Sequence, residues 1–186
     1  YMLRASAKMM AGFYDGAIED FLFASDAGYA DPSACYAQSA LASYLKKDYE
    51  NVMAYGWQAI AKGSQNFTYE TLYYYMGLAQ MELGSFTDAV GLMDKAIELG
   101  VPIDDVYYYR GACHMVNGSM EEAISDFTEA IDRNVQALLS ESYFNRGVCA
   151  AGAKDFEMAR SDFDKVMDLE KEGELYDSAR TMRNLL

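Results

Sequence analysis

The feature that most constrains this chain is a repeat. From Glu70 the sequence runs Tyr73-Tyr74-Tyr75-Met76-Gly77, then Gly84, Phe86, Ala89, Met93 and Ala96. Offset by 34 residues, from Asp104, it runs Tyr107-Tyr108-Tyr109-Arg110-Gly111, then Gly118, Met120, Ala123, Phe127 and Ala130. Self-similarity at one fixed period of this size marks stacked supersecondary units, each too small to bury its own apolar face. In the second copy Tyr107, Gly111 and His114 fall at i, i+4 and i+7, so they share one face of a first helix, and Ala123, Phe127 and Ala130 share a face of a second. Small residues allow the two helices to cross closely, large ones fill the space beside the crossing, and Asn117-Gly118 makes the turn. Each unit is therefore a helical hairpin with one apolar face left for the next hairpin to cover.

Counting Asp104 as position 1, an aromatic stands at 4 (Tyr107), glycine at 8 (Gly111), alanine at 20 (Ala123), an aromatic at 24 (Phe127) and alanine at 27 (Ala130). This pattern resembles the tetratricopeptide repeat (TPR) family, and it recurs in register along the chain. Ala5, Gly12, Tyr14, Ala17, Phe21 and Ala24 match the pattern as a first copy, whose first helix is expected to be truncated at Tyr1. The second, from about Ser33, keeps Tyr36, Ala40, Tyr49 and Ala59, but Val52 replaces an alanine and Gly56 the aromatic. Tyr55 and Trp57 flank that glycine and are expected to fill its space from either side, and the connection from Ala61 to Tyr69 is about three residues longer than the period requires. A fifth copy carries Tyr143, Gly147, Phe156, Ala159 and Phe163, with two extra residues in the Asn134 to Leu139 loop. The last segment places Leu175, Ala179, Met182 and Leu186 on one face, as a helix closing the final hairpin would. The expectation is one all-α domain over 1–186, a right-handed α-solenoid of about five hairpins (1–32, 33–69, 70–103, 104–139 and 140–173) with a capping helix at 174–186. Pro32 and Pro102 are expected between helices.

Charge and composition narrow the function. With 15 basic and 29 acidic residues, a formal −14, the chain has no electrostatic reason to bind nucleic acid or an anionic membrane. No run approaches the roughly 18 apolar residues that cross a bilayer, so membrane insertion by this segment is not expected. A cytoplasmic setting is favoured, with an extracytoplasmic one, after removal of an N-terminal anchor, as the alternative. Cys35, Cys113 and Cys149 are odd in number and widely spaced, which supports neither a disulfide framework nor a zinc site. There is no phosphate-cradling glycine loop, nucleophile elbow, HExxH or calcium loop, and the single histidine, His114, sits at position 11 on the packed face. Neither an enzyme nor a cofactor or metal protein is expected.

The resemblance implies a protein or peptide partner on the concave side, which the first helices line. Positions 5, 9 and 12 form a stripe there, rotated about one residue from the packed face. They read Met2, Ser6, Met9; Ala37, Leu41, Tyr44; Tyr74, Leu78, Met81; Tyr108, Ala112, Met115; Phe144, Val148, Ala151. The stripe is apolar, aromatic and methionine-rich, and no Lys or Arg is present to clamp a carboxylate terminus. The candidate partner-binding residues are Tyr44, Tyr74, Leu78, Met81, Tyr108, Met115 and Phe144, with Gln38 and Asn145 to hydrogen-bond a guest backbone. Contact between adjacent first helices competes for the same side chains. The expected function is a module that binds an apolar or amphipathic segment. The alternatives are a structural spacer or self-associating scaffold forming a homo-oligomer, and a sensor of a small apolar ligand or signalling peptide.

Overall fold

The structure, a computed structural model, describes residues 1–64 and 68–186. Part of the lengthened Ala61 to Tyr69 connection thus lies outside the described residues. Among the described residues the fold is all-helical. Residues 1–102 form one compact unit and 103–186 a second. The first holds three hairpins: α1 (Met2–Met10) with α2 (Tyr14–Asp26), α3 (Pro32–Leu45) with α4 (Tyr49–Lys62), and α5 (Glu70–Glu82) with α6 (Phe86–Glu98). The second holds α7 (Asp105–Val116) with α8 (Met120–Asp132), α9 (Leu139–Gly152) with α10 (Phe156–Glu170), and α11 (Glu174–Leu185). The enlarged loop before α9 contains a 3-10 turn at Gln136–Leu138. Pro32 lies inside a helix rather than between two. It is the first residue of α3, where its missing N–H has no partner to lose, and the Asp31 carboxylate before it accepts the Ala34 N–H.

All five hairpins turn at position 15 through a left-handed backbone. Gly12, Gly84 and Gly118 take φ near 80°, while Lys47 and Lys154 take 64° and 67°. The crossing is as close as the small residues suggest. A Cβ on Gly147 would stand 2.9 Å from the Phe163 ring and one on Gly111 3.1 Å from the Phe127 ring. Phe21, Phe127 and Phe163, all at position 24, are fully buried, as are the alanines Ala17, Ala123, Ala130 and Ala159. Helix α11 lays Leu175, Ala179, Met182 and Leu186 against the Phe163 cluster, the packing expected of a closing helix.

Two features of the packing are absent from the expectation. The first is an ion pair inside three of the hairpins, always 16 residues apart, joining position 7 of the first helix to position 23 of the second. Arg146 donates through Nε and Nη2 to the Asp162 carboxylate at 2.8 and 2.7 Å, and Arg110 does the same to Asp126 at 2.8 and 2.6 Å. Arg4 makes the equivalent fork to Asp20, joined by Lys8 at 2.9 Å. Hydrogen bonds from Arg4 and then Lys8 hold the Asp20 carboxyl well below the usual carboxylate range.

The second feature concerns Gly56. Tyr55 and Trp57 do not fill the missing aromatic's place. Trp57 is 50% exposed and meets Tyr73 edge-on, and Tyr55 lies against Tyr36. The space is taken by Met76 of the next hairpin, whose Sδ sits 2.5 Å from where a Gly56 Cβ would stand. A thioether reaches there because it is long, thin and unbranched.

Candidate functional site

The first-helix side of each unit carries a cleft between successive first helices. In the N-terminal unit the cleft lies between α3 and α5, has a volume of about 200 Å³, and is lined by Ala37, Gln38, Leu41, Thr71, Leu72 and Tyr75. Its walls are apolar, the polar groups are one amide and two hydroxyls, and no charged side chain lines it. Tyr75 is positioned by its neighbours: its ring centroid lies 4.9 Å from that of Tyr44 and 5.3 Å from that of Tyr74. Side chains of this kind can bury an apolar group and hydrogen-bond a passing backbone.

In the C-terminal unit a larger cleft, about 760 Å³, opens between α9 and α11, lined by Phe144, Glu174, Asp177, Ser178, Thr181 and Met182 among others. Phe144 is held from behind by Phe163, centroid to centroid 5.8 Å. On the same side Asn145 donates its amide to the Tyr108 hydroxyl at 3.3 Å, a bond that ties α7 to α9. Burial, followed by the charge of Glu141, raises the Tyr108 phenol above its ordinary value, so it is a neutral donor or acceptor.

The candidate residues divide on this geometry. Tyr74 and Leu78 are 5% and 7% exposed, so the open surface expected at these two positions is absent and both act in packing. Tyr108 and Met115 are half-buried against the Ala123, Phe127 and Cys149 cluster, and the Tyr108 ring meets that of Phe127 at a tilt, centroids 5.7 Å apart. Tyr44 and Met81 are half-buried, while Gln38 and Phe144 line the two clefts. The stripe is therefore partly consumed where first helices meet and stays accessible at the clefts. Sequence reasoning missed Tyr75, which sits one residue off the stripe, and Ser178 and Met182, which continue it into α11. Numbering α11 from Glu174 places these two at positions 5 and 9, the signal that would have found them.

His114 is half-buried, with Nε2 3.9 Å from an Asp126 oxygen already engaged by Arg110. The three cysteines are buried and unpaired; burial, then Asp126, pushes the Cys113 thiol up to about 12, and burial pushes Cys149 up to about 11. Among the described residues no group of three or more His, Cys, Asp or Glu could hold a metal ion, and no helix is long and apolar enough to cross a membrane.

Stacked hairpins of near-constant length, followed by a helix packed on the last of them and cleft between first helices, define the class as a helical-repeat protein. Sequence profiles described as tetratricopeptide repeat match residues 74–137 and 140–172, together just over half of the chain. The chain belongs to the tetratricopeptide repeat family. No curated protein matches it in sequence. Solved structures do resemble it. YrrB, described as a TPR protein with an unusual peptide-binding site, superimposes with a TM-score of 0.83 at 19% identity, over 97% of this chain and 90% of that one. MamA gives 0.79 at 19% identity, over 92% and 96%. The C-terminal part of a TPR repeat-containing protein from Cytophaga hutchinsonii gives 0.73 at 19%, over 91% and 65%. At such identities the likeness is one of fold.

Proposed function

We propose that this TPR chain is a protein–protein interaction module that takes an apolar or amphipathic segment on its first-helix side, with the α3/α5 cleft as an anchor point. The observation that carries the reading is the cleft itself. It is small and apolar-walled, with the Gln38 amide and the Tyr75 hydroxyl among its lining and no charge to repel an uncharged side chain. Its volume suits one branched aliphatic side chain. Extended peptides bind in this manner, with alternate side chains in pockets and the backbone held by amides. YrrB's described peptide-binding site agrees with the reading.

The test is peptide display against the intact chain, followed by measurement of the selected peptides on Leu41→Trp, which fills the cleft, and on Gln38→Ala. Leu41→Trp should weaken binding at least tenfold, about 1.4 kcal/mol, with helicity unchanged by circular dichroism. A selected pool indifferent to both changes would refute the reading.

A second reading, self-association, is favoured by one observation. On the N-terminal hairpin Leu3 and Met10 are each 89% exposed and Phe13 is 68% exposed. Light scattering across concentrations separates the two. A dimer abolished by Leu3→Glu with Met10→Glu supports the scaffold, and a monomer at all concentrations rejects it.

A further inference from the structure

The α9/α11 cleft differs from the α3/α5 cleft in charge. Phe144 and Met182 supply an apolar floor, Ser178 and Thr181 hydroxyls, and Glu174 and Asp177 a rim of two carboxylates. The two acids stand at i and i+3 in the first turn of α11, so they share a face. Both are exposed, and Asp177 spends only backbone groups on its neighbours, its N–H donating to the Gly173 carbonyl and its carbonyl accepting from the Thr181 hydroxyl, which leaves both carboxylates facing solvent. No cationic side chain lines the cleft. Their position suits the α11 dipole. The dipole accounts for acids at that turn, but the aromatic and thioether floor beneath them is a separate feature. A guest carboxylate would meet two uncompensated negative charges in a chain of formal charge −14, whereas a cation would be drawn in.

We propose that the α9/α11 cleft receives an arginine side chain carried two residues from an apolar one in an extended partner segment, a spacing that puts both on one face. The guanidinium forks toward Glu174 and Asp177, its planar face lies over the Phe144 ring, and the apolar side chain two residues away packs on Met182. Phe144 is ready for this role because Phe163 fixes it from behind. The inference rests on the reading of the first-helix side as the binding face and adds the partner's charge to it. The partner it fits is a basic, amphipathic segment, the inverse of the acidic carboxylate-terminated guest that the absence of Lys and Arg from the stripe excludes.

The experiment is methionine-methyl NMR on the intact chain, with the Met182 resonance assigned through Met182→Leu. The probes are N-acetyl-leucyl-glycyl-arginine amide and its neutral isostere, N-acetyl-leucyl-glycyl-citrulline amide. The Met182 methyl should shift saturably with the arginine probe, and the citrulline probe should bind roughly fivefold more weakly, the size expected when exposed carboxylates meet one cation. Glu174→Gln with Asp177→Asn, both isosteric, should remove that difference and leave helicity intact. Equal affinity for the two probes, a silent Met182, or a preference for arginine that survives the double change would each overturn the inference. Leu41→Trp acts on the other cleft. A silent Met182 beside a peptide pool that needs Leu41 therefore sinks only this proposal, whereas a pool indifferent to Leu41→Trp sinks the reading beneath it.

Discussion

Hairpins α7/α8 and α9/α10 solve one packing problem differently from the hairpins α3/α4 and α5/α6. At positions 7 and 23, where the two helices of a hairpin face each other, the former pair places Arg110 with Asp126 and Arg146 with Asp162. The latter places Ser39 with Tyr55 and Met76 with Leu92. The ion pair closes a hairpin on itself, with one further bond from Arg146 Nη1 to Thr128 of the preceding hairpin at 3.0 Å. The uncharged solution of α5/α6 works between hairpins, since Met76 of α5 fills the hollow over Gly56 of α4. The difference teaches that these positions require filled volume and satisfied polar groups, and that charge is only one way to supply them.

The sharpest way to break the comparison is to remove one member of a pair. Asp162→Ala leaves the Arg146 guanidinium, 16% exposed, without its carboxylate, and should cost about 3 to 5 kcal/mol in urea denaturation. Importing the neighbouring solution, Arg146→Met with Asp162→Leu, should return to within about 1 kcal/mol of the original chain, because well-packed apolar residues often replace a buried ion pair without loss. A double variant as unstable as Asp162→Ala would show that these hairpins need the charges themselves. Folding would then depend on the pair in a way that Met76 and Leu92 do not imitate.

The next effect tests the plug. Met76→Ala empties the space over Gly56 and should cost about 2 to 4 kcal/mol through lost burial and the residual cavity. Gly56→Ala drives a Cβ into the Met76 thioether and should cost about 1 to 3 kcal/mol by overpacking, less if the flexible end swings aside. The two changes combined should cost less than their sum by at least about 0.5 kcal/mol, since the added methyl then meets an empty site. Strict additivity would mean that Met76 and Gly56 are adjacent without depending on each other.

Much of this was legible in the sequence, and the parts that were not have a common cause. The 34-residue spacing, with small residues at positions 8 and 20 and aromatics at 24, reports contacts within one hairpin, so the helices and their crossings follow from Gly111, Ala123 and Phe127. Met76 answers a deficit in the preceding hairpin, and a comparison of repeats in register cannot see it. The Arg–Asp pairs were readable as Arg4/Asp20, Arg110/Asp126 and Arg146/Asp162 at one separation, but charged residues at spaced positions look like a solvated face until burial is known. For the candidate site, the stripe at positions 5, 9 and 12 fell on the side where the α3/α5 cleft opens. It did not distinguish Tyr74, buried where α5 packs, from Tyr75, which lines the cleft beside it, because a shift of one residue turns a helix by only about 100°.

The smallest effect sharpens the comparison from the polar side. Where α7/α8 and α9/α10 bury charge with its partner, α3 buries three serines, all fully covered. Ser33 Oγ donates to the Ala59 carbonyl at 2.8 Å, and Ser39 Oγ to the Cys35 carbonyl at 3.0 Å. The Ser43 hydroxyl has no partner among the described residues. If satisfied polar groups are what these hairpins require, Ser43→Ala should be neutral or stabilising by up to about 1 kcal/mol, because it removes a desolvated hydroxyl that returns nothing. Ser33→Ala should instead cost about 1 kcal/mol, through the bond it loses. The measurement is the pair of urea midpoints at constant slope. Equal losses in both would mean that Ser43 is held by packing rather than penalised for its hydroxyl, and the rule drawn from the ion pairs would not extend to α3.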